Sequence, residues 1–284
     1  MKRIRLIYFL SAISLLSTFT YAQQSTIVGN TKMVCLYTDL IYTKDVDSKP
    51  VTDSLLNVLQ VGDACSKFED YTVFLNEAKA SQVKLPDELV RIEDSQINGY
   101  CTVVQNYPKG KMTVREPLYP AFYVYEEPMN KLSWTLKEDT MTVCGYLCKS
   151  AEATYGGRSW IAWYTEDIPS TSGPWKLNGL PGLILKAEDV EHTHCFAAYS
   201  LFHLTMDIKD VNSPLDQKIS RDKFITYRNK IKTDVQSVKN PFYFIPVNSL
   251  KSVTVMKRGN PKIVINENFE FDYRHYYYIP LEVK

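Results

Sequence analysis

Two histidines, two positions apart, form the clearest candidate for metal binding in the sequence. His192 and His194 belong to a His-Thr-His-Cys run that ends at Cys195 and follows several acidic residues. If this run is a strand, the two imidazoles project from one face and could chelate a Zn²⁺ or Cu²⁺ ion, with Cys195 on the opposite face. The spacing therefore predicts a two-histidine metal site, and the alternative is a solvated hairpin turn.

Motifs for nucleophilic catalysis are missing from the sequence. The chain has four histidines and neither a Gly-x-Ser-x-Gly elbow nor a recognisable cysteine-protease surround. Carboxylate pairs such as Glu126 with Glu127 are adjacent, so a strand would place the two side chains on opposite faces. We interpret these pairs as solvated turn residues, assign no catalytic residue and no cofactor, and favour a protein that is not an enzyme.

Aromatic residues are abundant, with 20 Tyr, 12 Phe and 4 Trp. They could line a ligand groove in the mouth of a curled sheet, but core packing and cross-strand pairing are the simpler explanation.

Arg158 lies two residues before Trp160. We expect its guanidinium to pair with Glu166 or Asp167 as a structural contact.

All 6 cysteines follow residue 22 and are candidates for disulfides in an oxidising compartment. Six cysteines allow fifteen pairings, and the sequence does not choose among them. Cys144 and Cys148 are predicted on one strand with about 13 Å between their Cα atoms, too far apart to join. The disulfide candidates are Cys35, Cys65, Cys101, Cys144, Cys148 and Cys195.

The first 22 residues have the pattern of a secretory signal peptide. Basic residues at positions 2, 3 and 5 precede an apolar stretch, and Ala22 ends a cleavage site of small residues. The apolar stretch is shorter than the ~20 residues that span a bilayer, so we expect no transmembrane helix in the mature chain. We predict export to the periplasm or an outer-membrane-associated location, with residues 23–284 forming a single domain.

Charge argues against a nucleic-acid partner. The formal net charge is +1, and loss of the three basic residues in the signal peptide makes it slightly negative. Nucleic-acid binders usually carry a strongly basic surface. No nucleic-acid partner is therefore predicted.

Period-two alternation of apolar residues predicts a mainly β, β-rich α+β fold. We expect a curled antiparallel sheet, as a barrel, half-barrel or sandwich, with one or two packed helices. Gly156 and Gly157 suit a tight hairpin turn between the last two strands of a meander over residues 100–165. The main strands are predicted at 33–42, 55–61, 142–154, 159–165, 183–188 and 194–204, the helices at 68–83 and 220–235, and a tyrosine-rich edge strand or surface wrap at 273–278.

A long loop, residues 166–182, separates two of the predicted strands. Its apolar residues, among them Trp175 and Leu180, indicate that it is ordered against the core. Pro181 followed by Gly182 predicts a type II turn with positive φ at the glycine. We refer to residues 166–182 as the central loop.

Residues 142–190 resemble the signature of the GLPGLI family, exported proteins of Bacteroidetes without an established activity. The similarity lies in Ala-Trp-Tyr-Thr at 162–165, Gly-Pro-Trp-Lys at 173–176 and Gly-Leu-Pro-Gly-Leu-Ile at 179–184. The resemblance implies a β-rich exported protein and transfers no site residue. Thr171 and Ser172 depart from the family pattern, which has an acidic residue before Gly-Pro-Trp.

We predict a non-enzymatic binding or accessory protein of the cell envelope, whose partner is another envelope protein or an apolar ligand. One alternative is a metal-handling or metal-dependent hydrolytic protein that uses His192 and His194. Another is a purely structural envelope component. The residues assigned to the binding or structural loop and its entrance are Arg158, Trp163, Pro174, Trp175, Gly179, Leu180, Pro181 and Gly182.

Overall fold

The longest strand, β1 (Gln24–Lys44), has apolar side chains on both of its faces. Cys35 and Tyr37 belong to one buried apolar cluster, whereas Val34 and Leu36 belong to another. Because successive side chains of a strand point to opposite sides, β1 is covered on both sides. It pairs with a strand on each side over most of its length.

The computed structural model describes residues 24–44, 50–86, 101–118, 121–129, 132–214, 216–233, 253–255, 263–265 and 281–282. The predicted signal peptide and the tyrosine-rich segment 273–278 lie outside these residues. The elements after β1 are β2 (Pro50–Gly62), β3 (Ser66–Asp70), α1 (Tyr71–Ala80), β4 (Thr102–Gln105), β5 (Lys111–Leu118), β6 (Ala121–Pro128), β7 (Thr135–Val143), β8 (Tyr146–Tyr155), β9 (Arg158–Thr165), β10 (Leu183–Asp189), β11 (His194–Asn212), β12 (Gln217–Lys218), α2 (Arg221–Thr233), β13 (Val253–Val255) and β14 (Ile263–Ile265).

Twelve strands form one sheet in the order β12-β6-β5-β4-β3-β2-β1-β11-β10-β9-β8-β7, and β13 pairs with β14 separately. Neighbours in the large sheet are antiparallel except β12 and β6, which run parallel. The sheet is open, with β12 and β7 at its edges. The prediction of a β-rich fold built on a curled antiparallel sheet with few helices is confirmed.

Strands from distant parts of the sheet contribute to one apolar cluster. Val114 and Tyr125 of β5 and β6 share it with Cys148 and Trp160 of β8 and β9. These pairs of strands lie near opposite ends of the strand order. The sheet must therefore curl around the cluster, and we call the enclosed side the inner face.

The outer face of β1 and β2 is covered by α1. Phe74 and Ala78 of the helix pack with Val34 and Val58 of the strands. The helix begins at Tyr71 rather than at the predicted residue 68, because the Asp70 carboxylate caps it by accepting a hydrogen bond from the backbone N–H of Thr72. Phe68 instead lies in β3.

Two hairpin turns have positive φ at both central residues, the geometry of type I′ turns. Gly156 and Gly157 have φ of 61° and 81°, which confirms the predicted turn between β8 and β9. Cys144 and Gly145 have φ of 49° and 81° and form the same kind of turn between β7 and β8. The prediction of one strand over 142–154 is therefore wrong, because the chain reverses at Cys144.

The central loop connects β9 to β10 and returns to the end of β9. A Cβ atom on Gly182 would lie 2.1 Å from the Thr165 carbonyl oxygen. Gly182 does not have positive φ, so the predicted type II turn is wrong. Glycine is needed there because two backbones approach closely rather than because of its conformational freedom.

The edge strand β7 is mostly solvent-exposed and irregular. Seven of its nine residues are exposed, among them Lys137, Glu138 and Asp139. Its pairing with β8 shifts register between Leu136 and Thr140.

No helix in the described part of the chain has both the length and the apolar composition that crossing a bilayer requires.

A buried lysine on the outer face connects β3 to α1. Lys67 Nζ lies 2.7 Å from a Glu69 carboxylate oxygen and 2.6 Å from one of Glu77. Burial raises the pKa of Glu69 to about 8, although the Lys67 charge opposes the shift. Because the pKa of Glu69 differs between the folded and the unfolded chain, the free energy of unfolding depends on pH.

Substitution of Gly182 by alanine is expected to lower the free energy of unfolding by about 3 kcal/mol or more, because the Thr165 carbonyl cannot withdraw without disturbing β9. Gly145→Ala is the matched control, since Gly145 has φ of 81° but no atom within 4 Å of the new Cβ. It should cost about 1 kcal/mol. Urea unfolding measures both variants, and equal losses would contradict the steric explanation.

Stability is expected to fall as the pH rises from 4.5 towards 8, because native Glu69, with its pKa raised from 4.5 to about 8, binds a proton that the unfolded chain has released. Glu69→Gln should flatten this part of the stability profile. Exposed Glu152→Gln serves as the control and should leave the slope unchanged. Thermal unfolding at intervals across this pH range is the measurement, and an unaltered slope in Glu69→Gln would refute the assignment.

Candidate functional site

The second half of the central loop, residues 173–182, is largely embedded in the inner face. Trp175 is 1% exposed, and its ring centroid lies 5.5 Å from that of Tyr155 and 5.8 Å from that of Trp160. Its carbonyl oxygen accepts a 3.0 Å hydrogen bond from the Gln105 side-chain amide. This half of the loop thus supplies part of the core that the curled sheet encloses.

Lys176 is fully buried beside Trp175. Its Nζ lies 2.6 Å from a carboxylate oxygen of Glu127, 2.6 Å from one of Glu282 and 3.1 Å from the Tyr125 hydroxyl. An ammonium group has three N–H donors, and three oxygens surround this one. Such partners are needed because removing a charge from water costs several kcal/mol when it is not compensated.

A further layer of polar groups surrounds these contacts. Arg221 bridges the same two carboxylates, with Nε 3.1 Å from Glu127 and Nη2 3.0 Å from Glu282. The Tyr125 hydroxyl donates a 2.5 Å hydrogen bond to Glu116. We call this set the Lys176 cluster, which consists of Glu116, Tyr125, Glu127, Lys176, Arg221 and Glu282.

The charges of the cluster determine what it can do chemically. Burial alone would lower the pKa of Lys176, but the carboxylates of Glu282, Glu116 and Glu127 outweigh it and raise the pKa above its usual range. The amine therefore stays protonated at neutral pH, and a protonated amine is neither a nucleophile nor a base. The arrangement suits ion pairing that fixes the loop rather than a reaction.

Glu127 shows which signal could have revealed the cluster from sequence. The interpretation of Glu127 as a solvated turn residue is wrong, since it is 4% exposed. Glu126, its neighbour in β6, is exposed and pairs with Lys111. Alternation along β6 turns one carboxylate outward and the other inward, and a carboxylate at an inward position needs a buried partner.

An open cavity of about 710 Å³ lies where the β2–β3 turn meets the first half of the central loop. Met33, Met129 and Ile168 contribute apolar surface, and Ser170 and Thr171 contribute hydroxyl groups. No Phe, Tyr or Trp occurs among its lining residues within the described ranges. Large aromatic residues such as Trp160, Trp175 and Phe68 pack in the inner apolar cluster instead. We call this space the turn cavity.

The structure separates the two histidines of the predicted metal site. His194 begins β11, is fully buried, and has Nδ1 3.4 Å from an Asp39 carboxylate oxygen. The prediction assumed that His192 lies in a strand. It lies instead in the exposed β10–β11 turn, with φ of 52°. Within the described residues no three His, Cys, Asp or Glu side chains are grouped to hold a metal ion.

Cys195 follows His194 in β11 and so points to the opposite face from it, as predicted, which brings it near His192. Cys195 and His192 line a shallow pocket with Tyr42 and Glu188. Burial raises the pKa of the Cys195 thiol to about 11, so the thiol is protonated at neutral pH and is a poor nucleophile or metal ligand.

Arg158 pairs with a different residue from the one predicted. Its Nη1 lies 2.6 Å from an Asp189 carboxylate oxygen in a buried ion pair, not beside Glu166 or Asp167. The prediction was wrong because Asp189 ends β10, which antiparallel pairing brings next to the start of β9. The contact still joins two strands, which is the structural role that the sequence suggested.

The other predicted loop residues divide between core and surface. Pro174 and Leu180 are buried, whereas Gly179, with φ of 96°, and Pro181 are exposed. Trp163 in β9 is only partly buried, and the Lys186 ammonium lies 4.5 Å from the centre of its ring.

All six cysteines are free thiols in this structure. Four of the thiols, those of Cys65, Cys144, Cys148 and Cys195, have oxygen acceptors. For example, Cys144 Sγ lies 3.0 Å from the Ala198 carbonyl oxygen and Cys65 Sγ lies 3.5 Å from that of Val28. Cys35 and Cys148 are buried in the inner face and Cys101 directly precedes β4. None of the fifteen possible disulfides is present.

Residues 157–186 match a protein-family model described as "Protein of unknown function (Porph_ging)". The matched segment spans β9, the central loop and the first part of β10, and it contains the hexapeptide at 179–184 that carries the GLPGLI resemblance. The match is consistent with that resemblance and assigns no activity.

Comparison with solved structures finds PNGF-II, crystallised in space groups P21 and C2. The TM-scores are 0.44 and 0.43 at 13% sequence identity, with 80% of this chain covered in each case. The match covers 35% of the PNGF-II chain, so this protein spans about a third of the length of that chain. No curated protein matches the sequence.

Lys176→Met is expected to lower the free energy of unfolding by about 3–5 kcal/mol, because it leaves the buried carboxylates of Glu127 and Glu282 with Arg221 as the one cation that bridges them among the described residues. Lys149→Met is the matched control, since Lys149 is exposed and pairs with Glu166 at the surface. That variant should leave the free energy of unfolding nearly unchanged. Chemical denaturation of both proteins is the measurement, and a loss at Lys176 no larger than the control's would show that the buried ion pairs contribute little.

Proposed function

We propose that the protein is a non-enzymatic binding or accessory protein whose ligand or partner segment occupies the turn cavity. The observation that carries the proposal is the division of the central loop into two halves. Residues 173–182 are mostly buried in the core, whereas residues 168–172 line the cavity. A binding site is preformed when the residues that line it are held in place by the core before the ligand binds.

The cavity has the size and chemistry of a binding site for a small amphipathic ligand. Its volume of about 710 Å³ lies within the range of roughly 300–1,000 Å³ typical of such sites. Met33 and Met129 supply flexible apolar surface that adapts to different ligand shapes. Thr171, Asn106 and the Lys32–Asp63 ion pair supply polar groups.

Hydrogen bonds hold the loop wall in position. The Ile168 carbonyl oxygen accepts from the backbone N–H groups of Ser170 and Leu183 at 2.8 Å and 3.2 Å. Gln105, which lines the cavity, donates to the Trp175 carbonyl. The cavity wall is thereby connected to the buried half of the loop, and the ligand would meet a surface that needs little ordering.

The proposal includes export, which rests on residues 1–22 alone, and a partner that is either another envelope protein or an apolar ligand. The hypothesis that His192 and His194 bind metal stays a prediction. The hypothesis of a purely structural component is favoured by the Lys176 cluster, which locks the loop. The two roles differ in whether the cavity binds anything.

Binding of the amphipathic dye 1-anilinonaphthalene-8-sulfonate tests the proposal. We expect saturable binding of about one dye per chain, weakened at least about tenfold by Thr171→Trp, which fills the cavity. Thr154→Trp, at an exposed position of β8, is the matched control and should bind like the unmodified protein. Thermal unfolding checks that both variants fold.

Absence of saturable binding, or equal binding by the two tryptophan variants, would reject the turn cavity as a binding site and leave the structural role. Trp175→Ala provides a second measure. It removes packing behind the wall, so it should lower both stability and dye affinity. A variant unchanged in both would show that the loop does not shape the cavity.

A further inference from the structure

Leu281 and Glu282 are buried on the inner face, where surrounding residues enclose them as a binding site encloses a peptide ligand. Leu281 is 5% exposed within the inner apolar cluster, and Glu282 is 2% exposed. A Cβ atom on Gly156, in the β8–β9 turn, would lie 2.9 Å from Glu282 Cγ. The surrounding chain thus closes tightly around the glutamate side chain.

Three cationic side chains recognise different parts of Glu282. Lys176 lies 2.6 Å from one carboxylate oxygen and Arg221 lies 3.0 Å from the other. Arg228 donates a 2.8 Å hydrogen bond to the backbone carbonyl oxygen of the same residue. Contact with both the side chain and the backbone recognises an acidic residue within a peptide rather than a negative charge alone.

Charge explains why this site requires an anion. Lys176 and Arg228 are at most 3% exposed, and Arg221 is partly buried. Among the described residues, the buried carboxylates near these three cations are Glu116, Glu127 and Glu282, and Arg221 also lies 3.8 Å from exposed Asp222. Loss of Glu282 would leave three cations with two buried carboxylates, so the interior would hold excess positive charge. Burial of an uncompensated charge is strongly unfavourable, so a carboxylate offered from elsewhere should be attracted to the vacant position.

We propose that Lys176, Arg221 and Arg228 form a carboxylate-binding peptide site that the chain fills with its own Leu281 and Glu282, and that accepts an acidic peptide of the same kind. The ligand it fits has an aliphatic residue followed by a glutamate. The site is separate from the turn cavity, and its failure would leave the proposed binding function untouched.

Chemical rescue of the full-length Glu282→Ala variant tests the carboxylate site. The variant should lose at least about 5 °C in Tm. Acetate at about 100 mM should restore at least about half of that loss relative to chloride at equal ionic strength, and it should shift the unmodified protein by less than about 1 °C. Exposed Glu152→Ala is the control and should show neither loss nor rescue.

Peptide binding by the same variant tests the recognition of a peptide. A synthetic peptide with the sequence of residues 279–284, Ile-Pro-Leu-Glu-Val-Lys, should bind at least about tenfold tighter than the same peptide with glutamine in place of glutamate, as measured by isothermal titration calorimetry. Should Glu282→Ala not fold, Glu282→Gln, which preserves the shape of the side chain, takes its place in this titration. Equal binding of the two peptides, or a folded Glu282→Ala that acetate does not rescue, would overturn the proposal.

Discussion

The buried ammonium of Lys176 joins parts of the chain that are far apart in the sequence. It comes from the central loop, and its partners come from β6 and from the segment at residue 282, while Arg221 brings in the start of α2. An apolar residue at this position could fill space but could not select these partners. Because each buried carboxylate requires its cation, the ion pairs favour one arrangement of loop, sheet edge and helix over alternatives that pack equally well.

The central loop also decides what the curled sheet can hold. Trp175, Leu177 and Leu180 occupy the inner face, where a larger barrel would enclose a ligand. The chain thus fills its own interior, and the space left for another molecule is at the side, where residues 168–172 leave the core. Binding there does not require the core to open, although the buried half of the loop also holds the residues that line the cavity in position.

Local patterns in the sequence predicted much of the architecture because they depend on interactions between residues that are close together in the chain. Alternation around Trp160 marked a buried strand, Gly156 and Gly157 marked a hairpin, and the apolar residues of the central loop marked it as ordered. What the sequence could not give was pairing across the fold. Lys176 and Glu282 are 106 positions apart, and they meet only because the sheet curls. The turn at Cys144 and Gly145 was missed although Gly145 is a turn signal, because a cysteine does not indicate positive φ.

An open sheet of twelve strands ends in unpaired backbone groups, which invite pairing with the edge of another molecule. The edge strand β7 carries Lys137, Glu138 and Asp139 in succession and an irregular register at this point. A neighbouring strand would have to bury these charges and follow a backbone whose hydrogen-bonding groups are out of step. The same irregularity that weakens β7 within its own sheet therefore protects the protein from growing into an intermolecular sheet.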